Sequence, residues 1–269
     1  MLPLLTAVDV QRFLGEAATA PTKMLGQNFV VDPNTIRKIV SLASISPGTH
    51  VVEIGPGCGA LTRGLLNAGA EVTALEIDQK CVQELATLEH PGLTVIHTDA
   101  LKVKWADIVR GRPSVVVANL PYNVATTLII SILEQAPEVS KLVVMVQREV
   151  GERLSASPGG RVYGIPSVLV SYWAESKVLC PVSRTVFVPR PHVDSVVVEV
   201  TRRRTVAGDH YEQLVALVRA GFGQRRKSIR NSLARHVTSE QFRECGIDQG
   251  LRAEVLTNSQ WEALAGVVW

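Results

Sequence analysis

Residues 49–60 read Thr-His-Val-Val-Glu-Ile-Gly-Pro-Gly-Cys-Gly-Ala. An apolar run from Val51 to Ile54 stops at three glycines, Gly55, Gly57 and Gly59. Beyond them, Leu61, Leu65 and Leu66 share one face of a helix. A strand, a tight glycine turn and a helix open a nucleotide-binding α/β unit. Glycine lets the backbone approach a ligand closely and take positive φ. The first N–H groups of the helix have no intrahelical partner and face that ligand. The spacing is Gly-x-Gly-x-Gly, with Glu53 on the strand before it and Pro56 between the first two glycines. A dinucleotide site would read Gly-x-Gly-x-x-Gly, so a nicotinamide oxidoreductase is disfavoured.

Working outward, Glu71 to Asp78 reads as a second strand ending in acid. Glu76 lies 21 residues beyond Gly55. An acidic residue at about that distance accepts hydrogen bonds from ribose hydroxyls. Asp78 is placed to cap the helix that begins at Gln79. The third strand, from Leu93, runs into Asp99 and Ala100. Asp99 suits either an acceptor for an adenine amino group or a turn aspartate. His97 reads as an edge-of-strand residue. Residues 113–118 form a largely apolar fourth strand, as expected where helices cover both faces of a parallel sheet.

That strand ends in Asn119-Leu120-Pro121-Tyr122. An acidic residue before Gly-x-Gly-x-Gly resembles the pattern of S-adenosylmethionine-dependent methyltransferases. In that setting the tetrapeptide has a chemical meaning. The exocyclic amine of adenine is a poor nucleophile, because its lone pair is delocalised into the ring. Two acceptors holding its N–H bonds let the nitrogen pyramidalise and aim the lone pair. An Asn side-chain oxygen and a neighbouring backbone carbonyl supply two acceptors. Proline stiffens the turn, and tyrosine offers a ring to stack on a base taken out of its stack.

On the N-terminal side, residues 4–18 fit a short amphipathic helix. Residues 23–29 fit either a solvated loop or a lid bringing Lys23, Gln27 and Asn28 to a ligand. Asp32 and Pro33 have the chemistry of an N-cap and a first helical residue. On the C-terminal side come a helix over 123–135, a strand over 141–146, a charged helix over 147–154 and a mobile loop over 155–161. A helix over 167–174 and a strand over 176–179 follow. Pro189 and Pro191 exclude regular structure around Phe187. Phe187 is either core or a second wall of a stacking slot opposite Tyr122. Residues 194–200 close the sheet.

Past residue 200 the composition changes. Residues 201–235 hold nine basic and two acidic residues, a net of +7 in a chain whose total is +3, so the remainder carries −4. Arg202, Arg203, Arg225, Arg226 and Lys227 lie in this stretch, the last three at the expected start of a helix continuing through Ile229 and Leu233. Such a run is a solvated face or a phosphate-binding face, and its concentration in an otherwise acidic chain favours phosphate. The expected division is 1–204, with its N-terminal lid at 1–31, and a small helical domain, 205–269. The four cysteines, at 58, 81, 180 and 245, lack paired spacing, which argues against a zinc site or a disulfide framework. The apolar start is too short, and lacks the basic residues, for a signal peptide. No membrane span is readable, and a cytoplasmic location is expected.

Taken together, these segments resemble the small-subunit (16S) ribosomal RNA adenine N6,N6-dimethyltransferase family, of the KsgA type. The resemblance runs through Leu25-Gly-Gln-Asn-Phe, Glu53-Ile-Gly-Pro-Gly-Cys-Gly-Ala-Leu-Thr, Glu76-Ile-Asp, Asp99-Ala-Leu and Asn119-Leu-Pro-Tyr-Asn. It continues in Val146-Gln-Arg-Glu-Val, Phe187-Val-Pro-Arg-Pro-His-Val-Asp-Ser and Phe222-Gly-Gln-Arg-Arg-Lys. It implies a Rossmann-like class I methyltransferase sheet, α/β, of seven mostly parallel strands, with a small C-terminal all-helical domain. It implies S-adenosyl-L-methionine as cofactor, with S-adenosyl-L-homocysteine as product. Asn28, Val30, Gly55, Glu76, Asp99 and Asn119 would contact that cofactor, and Gln27, Gly57, Ile77 and Ala100 are grouped with them. Asn119, the Leu120 carbonyl, Tyr122 and Phe187 would form the target-adenine site. Arg225, Arg226, Lys227, Arg202, Arg203 and Lys23 are the expected RNA contacts, with no metal required. The implied reaction is dimethylation of two adjacent adenines near the 3′ end of 16S rRNA, in the 30S subunit or its precursor, by a monomer. Val30 stands where the family usually has leucine, and Arg148 where lysine is common. Two rivals share the motifs: a macrolide-resistance type of enzyme acting on 23S rRNA, and a 30S assembly factor with secondary catalysis.

Overall fold

The computed structural model describes residues 1–16 and 28–268. Lys23 and Gln27 of the expected lid lie outside them. The chain divides into two compact units, Met1–Gly151 with Lys177–Arg202, and Glu152–Ser176 with Arg203–Trp269. The second unit takes in residues 152–176, which a boundary at 204 would assign to the first.

The first unit begins α1 (Ala7–Glu16), β1 (Phe29–Val30), α2 (Pro33–Ala43), β2 (His50–Ile54), α3 (Ala60–Asn67) and β3 (Glu71–Glu76). It continues α4 (Gln79–Ala86), β4 (Leu93–His97), α5 (Trp105–Val109), β5 (Ser114–Asn119), α6 (Ala125–Gln135) and β6 (Val139–Gln147). Next along the chain come α7 (Arg148–Leu154), α8 (Ile165–Trp173), β7 (Ala174–Val182), β8 (Phe187–Val188) and β9 (Ser195–Arg202). Seven strands form one sheet in the order β4-β3-β2-β5-β6-β9-β7. From β4 to β6 every pairing is parallel, and β9 lies antiparallel to β6. This is the mostly parallel α/β sheet expected. All five residues of β2 are buried, as a central parallel strand covered on both faces must be. The strand order reverses between β2 and β5, and ligands of open α/β sheets bind at the carboxyl ends of strands at such a point.

Local chemistry places the elements beside that point. The Asp32 carboxylate accepts from the N–H groups of Asn34 and Thr35, and Pro33 opens α2. Gly64 lets α3 close on α2, since a Cβ there would stand 2.6 Å from Ile36 Cγ2. His50 is buried and bridges strands, bonding Ser114 at 2.7 Å and Thr73 at 2.9 Å; burial lowers its pKa.

The segment around Phe187 is more regular than its prolines suggest. β8 pairs antiparallel with β1, Phe29 opposite Val188 and Val30 opposite Phe187. Proline forbids only further N–H donation, so the strand stops at Pro189 after two residues.

The second unit contains α8 and four later helices, α9 (Tyr211–Gly223), α10 (Ile229–Ser232), α11 (Ser239–Glu244) and α12 (Asn258–Val267). Its core is aromatic: Tyr163, Trp173 and Trp261 are fully buried, and Tyr172 and Tyr211 lie 4.7 Å apart, centroid to centroid. Gly221 is required under Trp261, whose ring would meet a Cβ at 2.6 Å. Arg225, Arg226 and Lys227 are exposed, but they occupy the turn between α9 and α10 and not the start of a helix. Helix α9 ends at Gly223 because Gly221 and Gly223 cost helix propensity there.

Arg202 corrects an expectation. Its guanidinium donates to the carbonyls of Val139 (2.7 Å), Leu133 (2.8 Å), Ala136 (3.0 Å) and Ile132 (3.1 Å). These carbonyls lie at the end of α6, in the turn after it and at the start of β6, so a cation there complements the helix dipole. Arg202 is a structural cap, its guanidinium engaged by these four carbonyls. Arg203 is paired with Glu175 at 2.5 Å in the second unit. Arg202→Ala should lower stability by about 2 kcal/mol or more, read from urea unfolding. The salt dependence of RNA binding should not change; a flattened slope would return Arg202 to the RNA face.

Candidate active site

A cleft of about 260 Å³ opens at the carboxyl ends of β2, β3, β4 and β5. Its lining includes Asn28, Val30, Glu53, Gly55, Gly57, Glu76, Ile77, Asp99, Ala100, Asn119, Leu120 and Tyr122. The sequence groups these residues, Glu53 apart, with the cofactor or the target base, and the fold brings them together. Phe187 is not among them. It is 2 % exposed and sits in the core cluster with Val30, Ile36 and Met145. It pairs opposite Val30 and in this structure is packed as core, outside the lining of the cleft.

Glu76 is the polar centre of the cleft. The carboxylate is 4 % exposed. Oε2 accepts from the Gly57 N–H at 2.9 Å, and Oε1 from Ile77 N (2.8 Å) and Asp78 N (2.9 Å). Burial raises its pKa, and the three donors oppose that rise. A carboxylate has about four lone-pair sites, so one remains for a ligand donor. Gly57 adopts φ +59° and lies against the Phe29 ring, which would meet a Cβ at 2.7 Å. The glycine turn is thereby held between Phe29 and Glu76. Gly55 is also in the left-handed region, at φ +65°.

Glu53, noticed in the motif but assigned no role from sequence, lines the same cleft. It is 1 % exposed, and Thr62 Oγ1 donates to its Oε2 at 2.6 Å. Burial, with Glu76 nearby, pushes its pKa up to about 8. Two buried carboxyls share the site, and their surroundings differ. Three N–H donors favour the charged form of Glu76, while one hydroxyl leaves Glu53 protonated near neutrality. Acid placed at the end of an apolar strand was the signal available in the sequence.

Asn119 closes β5. Its Nδ2 donates to the Asn28 carbonyl at 2.9 Å. That bond fixes the amide's orientation and leaves Oδ1 as the acceptor it offers. The Leu120 N–H is anchored to Met145 O at 3.1 Å. The Tyr122 hydroxyl bonds Ser195 Oγ at 2.9 Å, and burial raises the phenol pKa. Asp99 accepts from Leu101 N at 3.0 Å and lies 3.5 Å from Lys102 Nζ. The set is rich in acceptors: Glu76, Asp99 and the Asn119 amide oxygen. A ligand here must bring donors, as a ribose diol and two aromatic amino groups would. The residues therefore fit an adenosyl cofactor beside an adenine. Among the described residues no group of three His, Cys, Asp or Glu is placed to hold a metal ion.

Glu53 carries a pH dependence. Its folded pKa exceeds the ordinary 4.5, so its contribution to stability is complete below 4.5 and is lost as pH rises through about 8. Glu53→Gln should flatten the stability profile between those limits, where one bound proton gives a slope of up to about 1.4 kcal/mol per pH unit. Unfolding by urea across that range tests this; an unaltered slope in the variant would mean that Glu53 ionises normally.

Comparisons with known proteins bear on the family and the fold. The family model described as ribosomal RNA adenine dimethylase matches residues 20–267. A relative from Leifsonia xyli subsp. xyli, named ribosomal RNA small subunit methyltransferase A, is 46 % identical over 87 % of this chain and 85 % of its own. One of the same name from Corynebacterium efficiens is 41 % identical over 98 % of this chain and 96 % of its own. Among solved structures, a dimethyladenosine transferase from Plasmodium falciparum aligns with a TM-score of 0.75 at 25 % identity, covering 88 % of this chain and 95 % of that one. The 23S rRNA methyltransferase ErmE aligns with a TM-score of 0.69 at 25 % identity, covering 90 % and 99 %. The chain belongs to the ribosomal RNA adenine dimethylase family.

Proposed function

We propose that this adenine dimethylase transfers methyl groups from S-adenosylmethionine to the N6 amines of two adjacent adenines near the 3′ end of 16S rRNA. The substrate would be the 30S subunit or its precursor, met in the cytoplasm by a monomer. One observation carries the chemistry: the Asn119-Leu120-Pro121-Tyr122 turn lines the same cleft as Glu76 and Asp99. The small-subunit target rests on the names of relatives at 39–46 % identity. The likeness to ErmE favours the 23S rival only at the level of fold and site, and methylation assays on 30S particles and on 23S rRNA separate the two.

Each residue then has a role. The free lone pair of Glu76 accepts from the cofactor ribose. Asp99 accepts from the cofactor's amino group, while the backbone at Gly55 and Gly57 admits its close approach. Bound S-adenosylmethionine supplies the electrophilic methyl group. Asn119 Oδ1 and the Leu120 carbonyl take the two N–H bonds of the target amine, so its lone pair points out of the ring plane. Tyr122 stacks on the extruded base. Catalysis is chiefly positioning. Asn28 contributes through its backbone, since its carbonyl holds the Asn119 amide.

Two variants should divide binding from chemistry. Glu76→Ala should weaken cofactor binding by about 1.5–3 kcal/mol. Asn119→Ala should leave rRNA binding intact and slow single-turnover methylation of 30S particles by about a hundredfold. Near-normal turnover in the second variant would refute the role given to the amide.

The basic turn of the second unit gives an independent test. Arg225 lies 3.9 Å from Glu254, a weak exposed pair, and Arg226 and Lys227 are exposed beside it. We infer that these cations meet phosphates. The triple alanine variant should keep its cofactor affinity and bind 30S more weakly, the log–log salt slope falling by roughly one unit per lost contact. Equal slopes for variant and wild type would show that the turn touches no phosphate.

A further inference from the structure

The Tyr122 hydroxyl is tied to a residue 73 positions away. Ser195 is the first residue of β9, opposite Gln147 of β6, and is 0 % exposed. Its neighbourhood is held firmly. The Asp194 carbonyl accepts from Arg148 N at 3.0 Å, and the Asp194 carboxylate accepts from Arg184 N at 3.0 Å and from Arg148 Nη2 at 3.2 Å. Tyr122 itself is half-buried, on the turn where Pro121 O accepts from Val124 N (3.2 Å) and Ala125 N (3.1 Å). The turn fixes only its backbone. An aromatic ring on a fixed backbone still swings about χ1 and has a broad χ2. A second anchor at the far end of the ring removes both freedoms.

We propose that Ser195 is a positioning residue, whose hydroxyl clamps the phenol of Tyr122 and so fixes the plane the ring presents to the target adenine. This rests on Tyr122 facing that adenine, as proposed above. Stacking depends on the alignment of two flat faces. Phe187 is buried in the core, and Phe29, the other aromatic residue of the cleft lining, is packed on Gly57. Alignment of the Tyr122 ring then rests on its hydroxyl anchor. The clamp also explains a tyrosine where a phenylalanine would stack equally well. It gives the serine that ends Phe187-Val-Pro-Arg-Pro-His-Val-Asp-Ser a task beyond packing.

The test uses Ser195→Ala, Tyr122→Phe, the double variant and Tyr122→Ala, with cofactor affinity measured for each. The substrates are 30S particles and an RNA carrying 2-aminopurine at the target position. Ser195→Ala leaves the half-buried Tyr122 hydroxyl without this partner and frees the ring. It should lower kcat/KM for 30S by about tenfold and weaken the 2-aminopurine signal of the stacked base, with cofactor affinity unchanged. Tyr122→Phe should do the same, and the double variant should be no worse than either single one, because both remove one bond. Losses that add would overturn the clamp, as would a Ser195→Ala enzyme with normal kcat/KM. A normal rate in Tyr122→Ala would refute instead the assignment of Tyr122 to the base. A low rate there with normal Ser195→Ala kinetics would refute the clamp alone.

Discussion

The hydrogen bond from the Gly57 N–H to the Glu76 carboxylate is the constraint on which the site depends. It joins the turn after β2 to the end of β3, the two strand ends that face the cleft. A buried carboxylate is costly unless its oxygens are satisfied, and here three backbone N–H groups do so. The same bond holds a glycine in the left-handed region, where only glycine sits without strain. Phe29 closes the other side of that glycine. The turn is therefore formed before any ligand arrives, and a preorganised site loses less entropy on binding.

Charge is distributed with the same logic. Two carboxyls line one cleft, and only the one with three N–H donors is suited to carry the charge. Glu53 stays protonated beside it, since a second buried anion would raise both pKa values further. A neutral Glu53 leaves Glu76 as the charged acceptor of the pair. The cationic side of the protein shows a parallel division of labour. Arg202 satisfies α6 carbonyls, Arg203 pairs with Glu175, and Arg204 stacks 4.0 Å over Tyr172 while bonding Glu262. Among the described residues, the exposed turn at 225–227 has the weak Glu254 contact as its ion pair.

What was legible in the sequence was local. The glycine turn, the Asp32 cap, Glu76 and the Asn119 tetrapeptide each declare themselves within a few residues, through φ requirements, capping chemistry or spacing. What was not legible depended on distant partners. Phe187 is core because Val188 and Phe187 pair with Phe29 and Val30, more than 150 residues earlier in the chain. Arg202 is a cap because β9 brings it to the end of α6. Residues 152–176 cluster with the C-terminal helices through contacts such as Tyr163 to Leu256 and Trp173 to Tyr211. No periodicity reveals such pairings. The cations at 225–227 were misplaced for a local reason: two glycines end α9 just before them.

The held side chains share one pattern. The Asn119 amide is fixed by a carbonyl 91 residues away, the Tyr122 hydroxyl by a serine 73 away, and Gly57 by a carboxylate 19 away. In each case the group aimed at the cleft stands at a strand end or in the turn beyond one, and its orienting partner comes from another strand end or a neighbouring connection. Loops are the mobile part of such folds, yet a reaction governed by positioning tolerates little error in distance. Cross-bracing between loops resolves the conflict, because each is restrained by an element other than its own. The amine chemistry makes the same demand. A delocalised lone pair becomes nucleophilic only while both N–H bonds are held, so an acceptor that swings away loses the reaction even if the base remains bound. The precision of the site thus comes from bonds among its own loops more than from rigidity within any one of them.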